Sequence, residues 1–334
     1  MSIRYKGKRF LAALAAACMI FGTAPVQRVM ASPAEDGAKA PAEISAQSQA
    51  AGTGSQGQDS AADTYLGGAS LTMLAPQTDG QNMSFLLQTN QGEVIVIDGG
   101  LDQDADHLVE TIQAMGGRVS AWLITHPHSD HVGALTNILN RNPIPVQIDQ
   151  IYCSFLTREQ YEKGEHMGRM SDYDNLMAAF SRFPAEKLHM QLIRGQKITV
   201  DNAEITVMNE PLYTDYNTFN NSSIAYRIDI NGKRLMFLGD MGWEPGTRLI
   251  RMWDYKDLKS DVVQMAHHGQ DGAEENLYQV LHPEICFWPT PAWLWDNMKD
   301  GVAGSYKTMK TRSWMERMGV ARNYVAKDGD LVLR

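Results

Sequence analysis

The apolar positions of this chain fall into two series of short runs, and each series is interleaved with stretches of helical spacing. The first series predicts three strands, a helix and a further strand, at Ser70–Leu74, Ser84–Thr89, Glu93–Ile97, Ala105–Met115 and from Val119 onward. The second predicts strands at Ser223–Ile230, Arg234–Leu238, Asp261–Met265 and Glu284–Trp288, with helices near Glu244–Trp253, Ala273–Leu281 and Ser305–Met318. Two such halves suit two sheets packed face to face with helices outside, an α/β arrangement.

The first 31 residues have the pattern of a secretory signal peptide. A basic stretch from Arg4 to Arg9 precedes the apolar segment Phe10–Val26, and Val29-Met-Ala31 fits a small-residue cleavage pattern. The apolar segment is shorter than the ~20 residues that a spanning helix needs. Cys18 stands in a poor lipoprotein context because apolar residues follow it. The sequence therefore predicts a secreted protein with no membrane span in its mature form.

Residues 32–66 consist mainly of Ala, Gln, Ser, Gly and Pro and contain almost no large apolar side chain. Such a composition cannot bury enough surface to offset the entropy of ordering. We therefore predict a disordered linker over residues 32–66 and one folded domain over residues 67–334.

Two cysteines, Cys153 and Cys286, remain after removal of the signal peptide. Both lie beside aromatic and apolar residues, and neither falls in a metal-ligand motif. They can pair in an oxidising exterior or stay as buried free thiols.

The most informative segment is Thr125-His-Pro-His-Ser-Asp-His131, which places three imidazoles and a carboxylate within six residues. An apolar run ends just before it and helical spacing begins at His131, so it lies on a strand-to-helix turn. On such a turn His126 and His128 can reach one metal while Asp130 and His131 reach a second. Imidazole nitrogen and carboxylate oxygen suit zinc, manganese or iron, at about 2.0–2.2 Å for zinc. The H-x-H-x-D-H spacing therefore predicts half of a two-metal site.

Three further segments, in a fixed order along the chain, make the sequence similar to the metallo-β-lactamase fold superfamily. They are Glu93-Val-Ile-Val-Ile-Asp98-Gly-Gly100, Lys233-Arg-Leu-Met-Phe-Leu-Gly-Asp240 and Asp261-Val-Val-Gln-Met-Ala-His267-His268-Gly269. With Asn220-Asn-Ser-Ser-Ile-Ala225, they most resemble the branch that contains the extracellular domain of ComEC competence proteins and secreted phosphorylcholine esterases. The resemblance covers residues 67–334 and implies a four-layer αββα sandwich with hydrolase activity.

The resemblance also implies a role for each motif. Asp98 would orient the metal-binding loop through hydrogen bonds, and Asp240 would bridge both metals. Asp130 and Asp240 would fix the attacking water. One histidine of the pair His267 and His268 would bind the second metal, and the other would donate a hydrogen bond or a proton to the leaving group. The sequence does not choose between these two histidines.

The motif set lacks one ligand that most relatives have. They supply a third histidine to the first metal from the loop before the bridging aspartate, but Ile205-Thr-Val-Met-Asn-Glu210 contains none. His166 lies in a charged predicted helix and His189 in a predicted strand, so neither is expected to replace it. The expected set is therefore smaller, with Glu210 or Asn221 near the remaining ligands His126, His128, Asp240 and water. The missing ligand makes a metal-poor binding module the non-enzyme alternative.

The implied reaction is cleavage of phosphodiester bonds by a water held between two divalent ions, with zinc favoured and manganese or iron as alternatives. Relatives that hydrolyse carbapenems carry a cysteine where this chain has Asp240, which disfavours an antibiotic substrate. The net charge is −9, and loss of the signal peptide leaves 25 basic residues against 39 acidic ones, a charge of −14. This balance disfavours nucleic acid as the substrate, although a basic face around Lys307, Lys310 and Arg312 remains conceivable.

Two segments are expected to shape the mouth of the site. Residues 155–185 are rich in Glu, Lys, Arg, Met and Tyr and predict an inserted helical region. Trp293 and Trp295 follow a predicted strand on a Pro-broken loop, where they either form an aromatic wall for a quaternary ammonium group or pack as ordinary core and loop rings. An aromatic wall would favour a small-molecule or cell-surface phosphodiester such as a phosphorylcholine or teichoic-acid ester. A lactone is a further candidate substrate.

Overall fold

The computed structural model describes residues 65–165 and 170–334. The predicted signal peptide and residues 32–64 of the predicted linker lie outside the described residues and remain predictions. Leu66, which we assigned to the end of the linker, is fully buried in the core, so the folded domain includes it. Within the described part of the chain, no helix is both long and apolar enough to cross a membrane.

Most strands are short, and they follow the apolar runs of the sequence. Over the described ranges they are β1 (Ser70–Met73), β2 (Ser84–Gln88), β3 (Val94–Asp98), β4 (Arg118–Val119), β5 (Ala121–Leu123), β6 (Gln147–Ile148), β7 (Ile151–Tyr152), β8 (Leu188–His189), β9 (Lys197–Val200), β10 (Ala203–Val207), β11 (Tyr226–Ile230), β12 (Lys233–Phe237), β13 (Val262–Gln264), β14 (Ile285–Trp288), β15 (Met298–Lys299), β16 (Val302–Ala303), β17 (Arg322–Val325) and β18 (Leu331–Leu333). The hairpin of β9 and β10 was not predicted.

The helices occupy the stretches of amphipathic spacing. They are α1 (Ala105–Ala114), α2 (Ser129–Asn140), α3 (Arg158–Gly164), α4 (Met170–Phe180), α5 (Thr218–Asn221), α6 (Trp243–Met252), α7 (Tyr255–Leu258), α8 (Glu275–Leu281), α9 (Ala292–Trp295) and α10 (Thr308–Met318). Short 3-10 turns cover Asp102–Asp104, Ala185–Lys187, Ala266–Gly269 and Ala326–Asp328.

The two large sheets are built alike. The first has the strand order β18-β1-β2-β3-β5-β7-β8 and the second β17-β14-β13-β12-β11-β10-β9. The first sheet is antiparallel from β18 to β3 and parallel from β3 to β8. In the second, β17, β14, β13 and β12 are parallel, and β12 to β9 are antiparallel. Each sheet therefore contributes neighbouring parallel strands whose carboxyl ends lie at one edge.

Three apolar layers separate four structural layers, which confirms the predicted αββα sandwich. The central layer joins the facing sides of the sheets; the Phe85 ring lies 5.3 Å from that of Phe237 and 5.8 Å from that of Phe287. On the outer face of the first sheet, α1, α2 and α4 bury residues such as Trp122. On the outer face of the second, α6, α8 and α10 bury residues such as Leu277. Helices on both outer faces leave the strand ends open for a site.

The region at residues 155–185 contains α3 and α4, as its composition predicted. Tyr161 in α3 is fully buried, and its hydroxyl lies 2.9 Å from Ser222 Oγ. Its ring packs against Phe219 with 4.5 Å between the centroids, and Phe219 packs edge-on against His128 at 4.9 Å. The insertion therefore borders the loop that carries the histidine motif.

Both cysteines are free thiols in separate layers, so the disulfide alternative is wrong. Cys153 lies between the first sheet and its helices, and Cys286 lies between the second sheet and α10, with its Sγ 3.6 Å from Met315 Sδ. Burial raises the pKa of each thiol.

We expect neither Cys153 nor Cys286 to react with a thiol reagent such as DTNB in the native protein, because only an accessible thiolate reacts. Unfolding in guanidinium chloride should release both. Titration before and after unfolding measures this difference. A thiol that reacts at full rate under native conditions would contradict the packing.

Candidate metal centre

The candidate metal ligands and Asp98 stand at the carboxyl ends of neighbouring parallel strands. Asp98 ends β3, and the segment Thr125–His131 follows β5 and opens α2. In the second sheet, Asp240 follows β12, and His267 and His268 follow β13. The two sheets bring these four segments together at one edge of the sandwich.

Asp98 is fully buried and holds the histidine loop through three contacts. One carboxylate oxygen accepts a hydrogen bond from the Thr125 backbone N–H at 2.8 Å. The other accepts from Thr125 Oγ1 at 2.7 Å and lies 2.7 Å from His131 Nδ1. A proton on Nδ1 leaves Nε2 of His131 facing the site. These contacts are the ones that an orienting role for Asp98 requires.

The first cluster of possible ligands consists of His126, His128 and Asp240. His126 Nε2 lies 3.0 Å from His128 Nδ1 and 3.9 Å from Asp240 Oδ2. Two ligands of a tetrahedral zinc ion at about 2.0–2.1 Å stand roughly 3.4 Å apart, which is close to these values. Burial lowers the pKa of both imidazoles, that of His126 well below its usual value. Burial thus favours the neutral imidazole of both residues, which is the form that a metal ligand needs.

The second cluster consists of Asp130, His131, Asp240 and His268. His131 Nε2 lies 3.2 Å from Asp240 Oδ1. His268 Nε2 lies 3.1 Å from Asp130 Oδ2 and 3.5 Å from Asp240 Oδ2, while its Nδ1 lies 2.8 Å from the Pro289 carbonyl oxygen. That carbonyl accepts a hydrogen bond from Nδ1–H, which leaves Nε2 for the site. Asp240 is thus the carboxylate common to both clusters.

The carboxylates give the second cluster a strong preference for positive charge. Burial works against protonation of His131, yet the charges of Asp240 and Asp98 raise its pKa well above the usual value. For His268, burial likewise opposes protonation, and the charges of Asp240 and Asp130 raise the pKa to about 9. A divalent cation between these groups would supply the positive charge that the carboxylates favour.

Unpaired buried atoms support the fit of a metal ion. Among the described residues, His131 Nε2, His268 Nε2 and Asp240 Oδ1 are buried and make no hydrogen bond of acceptable geometry, although oppositely charged groups lie 3.1–3.5 Å away. Buried polar atoms are nearly always satisfied, so three that converge on one space need a common partner. The donor set of imidazole nitrogens and carboxylate oxygens suits a divalent ion such as zinc.

The adjacent histidines take different positions because their backbone is turned. His267 and His268 have φ values of 52° and 53°, in the left-handed region that side chains rarely adopt. His268 is fully buried among the carboxylates, whereas the His267 side chain is 20% exposed and its Nε2 stands 3.9 Å from Asp240 Oδ2. Gly269 continues the turn at φ 76°, and a Cβ there would stand 2.4 Å from the Trp288 ring. The geometry selects His268 as the possible ligand of the pair.

Asn221 does not face the candidate site. Its side-chain amide donates to Thr214 Oγ1 and to the Tyr216 carbonyl oxygen. Asn220, which the sequence did not single out, has its Nδ2 3.3 Å from His267 Nε2 and a buried Oδ1 without a partner among the described residues. Successive residues of a helical turn point about 100° apart, so only one asparagine of α5 can face the site. The Asn-Asn pair was visible in the sequence, but its orientation was not.

Glu210 was expected near the first cluster, and His189 was not expected to bind metal. Glu210 is exposed and accepts a hydrogen bond from the Arg194 backbone N–H, and its place near the metal stays a prediction. His189 is exposed on β8 and stacks on Tyr152 at 4.6 Å. His166 lies outside the described residues.

The two tryptophans do not form one aromatic wall. Trp295 packs edge-on against Trp288 at 5.3 Å, and the Arg312 guanidinium lies 4.1 Å above its ring. Trp293 lines a groove of about 680 Å³ and donates its indole N–H to the Asp79 carbonyl oxygen. Trp295 therefore packs against Trp288 and Arg312, and a role of either tryptophan in substrate binding stays a prediction.

Comparison with known proteins identifies the family. A sequence profile of the Metallo-beta-lactamase superfamily matches residues 77–331, and the chain belongs to this superfamily. A hydroxyacylglutathione hydrolase from Alkalilimnicola ehrlichii is 40% identical over 57 residues, a stretch that covers 17% of this chain and only 21% of that enzyme.

Two solved structures have a similar overall fold. The metallo-beta-lactamase fold protein YhfI from Bacillus subtilis is 11% identical and aligns over 80% of this chain and 99% of its own, with a TM-score of 0.48. A diphosphatase of the PhnP family is 15% identical and aligns over 80% of this chain and 97% of its own, with a TM-score of 0.46. The superfamily fold implies a metal-dependent hydrolase with a dinuclear centre, and the two clusters that share Asp240 are the candidate for it.

Proposed function

We propose that this chain is a phosphodiesterase that uses two divalent metal ions, with zinc the best match to its donors. The sharing of Asp240 between a two-histidine cluster and a second cluster of Asp130, His131 and His268 carries the proposal. A two-ion arrangement of this kind can hold both the attacking and the leaving oxygen of an in-line displacement at phosphorus. The ComEC-like and phosphorylcholine esterase-like motif set favours the phosphodiester over other esters.

Each residue of the proposed site would have its own role in the reaction. When bound, the ions would lower the pKa of a shared water and offset the charge that develops on the phosphate. Asp130 and Asp240 would accept hydrogen bonds from the attacking water. His267 stands at the more exposed edge, where its Nδ1, 3.2 Å from the Asp271 carbonyl oxygen, donates and leaves Nε2 toward the site. In its protonated form His267 can pass a proton from Nε2 to the leaving oxygen.

Alternative functions receive less support. The aromatic wall expected for a phosphorylcholine headgroup has less support, because the Arg312 guanidinium covers one face of the Trp295 ring. In a metal-poor binding module, His131 Nε2, His268 Nε2 and Asp240 Oδ1 would stay buried with neither a hydrogen bond nor a metal ion. Secretion remains part of the proposal and rests on residues 1–31, and it is tested by finding the processed chain outside the cells that make it.

The test is hydrolysis of bis(p-nitrophenyl) phosphate by protein reconstituted with zinc or manganese. We expect turnover that a chelator abolishes and that added metal restores, because the nucleophile depends on the ions. Phosphorylcholine esters, a lactone and a thioester serve as competing substrates in the same assay. Absence of chelator-sensitive turnover of the phosphodiester with either metal would contradict the proposal. Preference for the thioester or lactone would indicate a different substrate class.

A further inference from the structure

The inserted helical region at residues 155–185 contacts the metal-binding loop through a carboxylate. Asp172 lies in the first turn of α4, and its Oδ2 accepts a hydrogen bond from the Ser129 backbone N–H at 3.1 Å. Ser129 is the first residue of α2. The first N–H groups of a helix have no partner within the helix, so a side-chain oxygen that accepts from one of them stabilises the helix start. Asp172 thus fixes the start of α2 from a different part of the chain.

The first turn of α2 carries ligands of both candidate metal clusters. Its N-cap residue, His128, belongs to the first cluster, and Asp130 and His131 belong to the second. The His128 carbonyl oxygen accepts from the backbone N–H groups of His131 and Val132, but the His128 side chain makes no capping hydrogen bond. Asp172 therefore supplies a capping contact that the N-cap side chain does not make.

A row of aromatic rings connects the insertion to the ring of His128. Tyr173 in α4 lies 5.4 Å from Tyr161 in α3, and Tyr161 lies 4.5 Å from Phe219 in α5. Phe219 in turn meets His128 edge-on, with 4.9 Å between the ring centroids and 87° between the ring planes. Tyr161 and Phe219 are fully buried, and edge-to-face pairs at these separations are favourable. The His128 ring therefore rests on packed rings that begin in the insertion.

α5, which carries Phe219, is held closely against the insertion. Glu165, directly after α3, is 7% exposed and accepts a hydrogen bond from the Phe219 backbone N–H at 3.1 Å. A Cβ on Gly164 would stand 2.2 Å from Thr218 Oγ1 and 2.5 Å from the Thr214 carbonyl oxygen, so the two helices approach where no side chain would fit. The position of the Phe219 ring is therefore fixed by α3.

The first cluster has particular need of such support. It contains two histidines and the shared Asp240, whereas the second cluster contains four residues. With fewer donors, the affinity for an ion depends more on how well each donor is held before the ion binds. His126 is fully buried, but His128 is partly exposed. His128 is therefore the histidine of the first cluster whose position most needs contacts from outside the loop.

We propose that the insertion positions the metal-binding loop, with Asp172 and Phe219 as positioning residues that raise the affinity of the first metal ion. Asp172 holds the backbone at Ser129, and Phe219 holds the ring of His128. Together they keep the loop in its metal-binding arrangement before an ion arrives, which removes an ordering cost from binding. The inference concerns metal affinity and goes beyond the proposed phosphodiesterase function, because it applies to any substrate of the site.

The first test is the zinc affinity of Asp172→Ala, measured by competition with a chromophoric chelator, together with the visible spectrum of the cobalt(II)-substituted protein. The more weakly bound ion should be that of the first cluster, which has fewer ligands. Its affinity should fall about 2- to 30-fold, equivalent to the ~0.5–2 kcal/mol of a helix N-cap. The cobalt spectrum should change with the ligand geometry. Asp172→Asn should restore most of the affinity, since its amide oxygen can still accept from Ser129.

The matched control for this test is Asp174→Ala, which removes the same charge from the same helix. Asp174 is exposed and pairs with Arg158 of α3 at 2.9 Å. The control should keep the zinc affinity and the cobalt spectrum of the wild type. Unchanged affinity in Asp172→Ala, or an equal loss in Asp174→Ala, would overturn the inference. So would a loss in Asp172→Asn as large as in Asp172→Ala, because charge and not the hydrogen bond would then be responsible.

The second test is Phe219→Leu, which keeps an apolar side chain but removes the ring edge beside His128. The affinity of the same ion should fall about 2- to 12-fold, equivalent to the ~0.5–1.5 kcal/mol of an aromatic pair. The control is Phe155→Leu. Phe155 lies at the far end of the rings, 6.2 Å from Tyr173, and packs against the helix layer of the first sheet. It should bind zinc as the wild type does. An equal loss of affinity in both variants would show a general loss of packing and contradict the positioning role.

These measurements also separate the inference from the proposed function. Zinc affinity and the cobalt spectrum are read without any substrate. A loss of affinity in the Asp172 and Phe219 variants, in a wild-type protein that does not hydrolyse bis(p-nitrophenyl) phosphate, would refute the phosphodiesterase and support the positioning role. Phosphodiester turnover with unchanged zinc affinity in both variants would do the reverse.

Discussion

Replacing Asp240 by alanine should remove both metal ions and reduce hydrolysis to background. The carboxylate is 2% exposed and reaches His126 at 3.9 Å, His131 at 3.2 Å and His268 at 3.5 Å, so among the described residues it is the group that both clusters share. Without it, each cluster loses its shared anionic donor. Metal analysis of the reconstituted variant, together with its turnover of bis(p-nitrophenyl) phosphate, measures the effect.

The matched variant is Asp98→Asn. It changes another buried aspartate at a strand end but keeps the size of the side chain. Asp98 has φ 57°, a conformation that asparagine tolerates, so the backbone should not be disturbed. The amide can still accept from Thr125, but it loses one contact to Thr125 or to His131 Nδ1. We expect a 10- to 100-fold loss of metal affinity or activity and no complete loss. Equal metal loss in both variants would contradict the division of roles.

Replacing His268 by alanine should cost the second metal ion, whereas replacing His267 should leave both ions bound. His268 is fully buried between Asp130 and Asp240, and the Pro289 carbonyl fixes its tautomer. His267 is partly exposed and contacts Asn220. Turnover in His267→Ala should fall about 10- to 100-fold if the imidazole only positions substrate and by up to about 10⁴-fold if it transfers a proton.

Metal content and turnover of the two single variants decide this assignment. Asn220→Ala is a useful companion, because it removes the amide beside His267 and should keep both metals while lowering turnover less than His267→Ala does. If both histidine variants keep two metals per chain, the second cluster is wrong. If His267→Ala alone loses a metal, the roles of the pair are reversed.

The fold could be predicted because its signals are local and repeated. Apolar runs of four to six residues placed β1, β2, β3, β12 and β14, and amphipathic spacing placed α1, α6, α8 and α10. The hairpin of β9 and β10 was missed because β9 is short and alternates exposed and buried residues, and a polar turn at Asp201-Asn202 separates it from β10. The segment at residues 205–210 is therefore partly a strand.

The candidate site was predictable to the level of motifs. Residues that stand at the ends of apolar runs were expected to meet, and Asp98, His131 and Asp240 do so. Side-chain direction could not be predicted where two similar residues are adjacent. Asn220 and Asn221 differ by one step of a helical turn, and His267 and His268 differ by a backbone with positive φ that no local propensity encodes.

The sequence by itself determined the superfamily, the two-sheet sandwich and the set of residues available to hold metal, because these depend on periodicity and on motif order along the chain. Only the tertiary structure decided which atoms face one another: that Asp240 serves both clusters, that His268 lies inside and His267 at the edge, and that Arg312 lies over one face of Trp295. Such outcomes depend on the packing of segments that are separated along the chain, by more than a hundred residues where Asp240 meets His131. Local sequence patterns do not encode that packing.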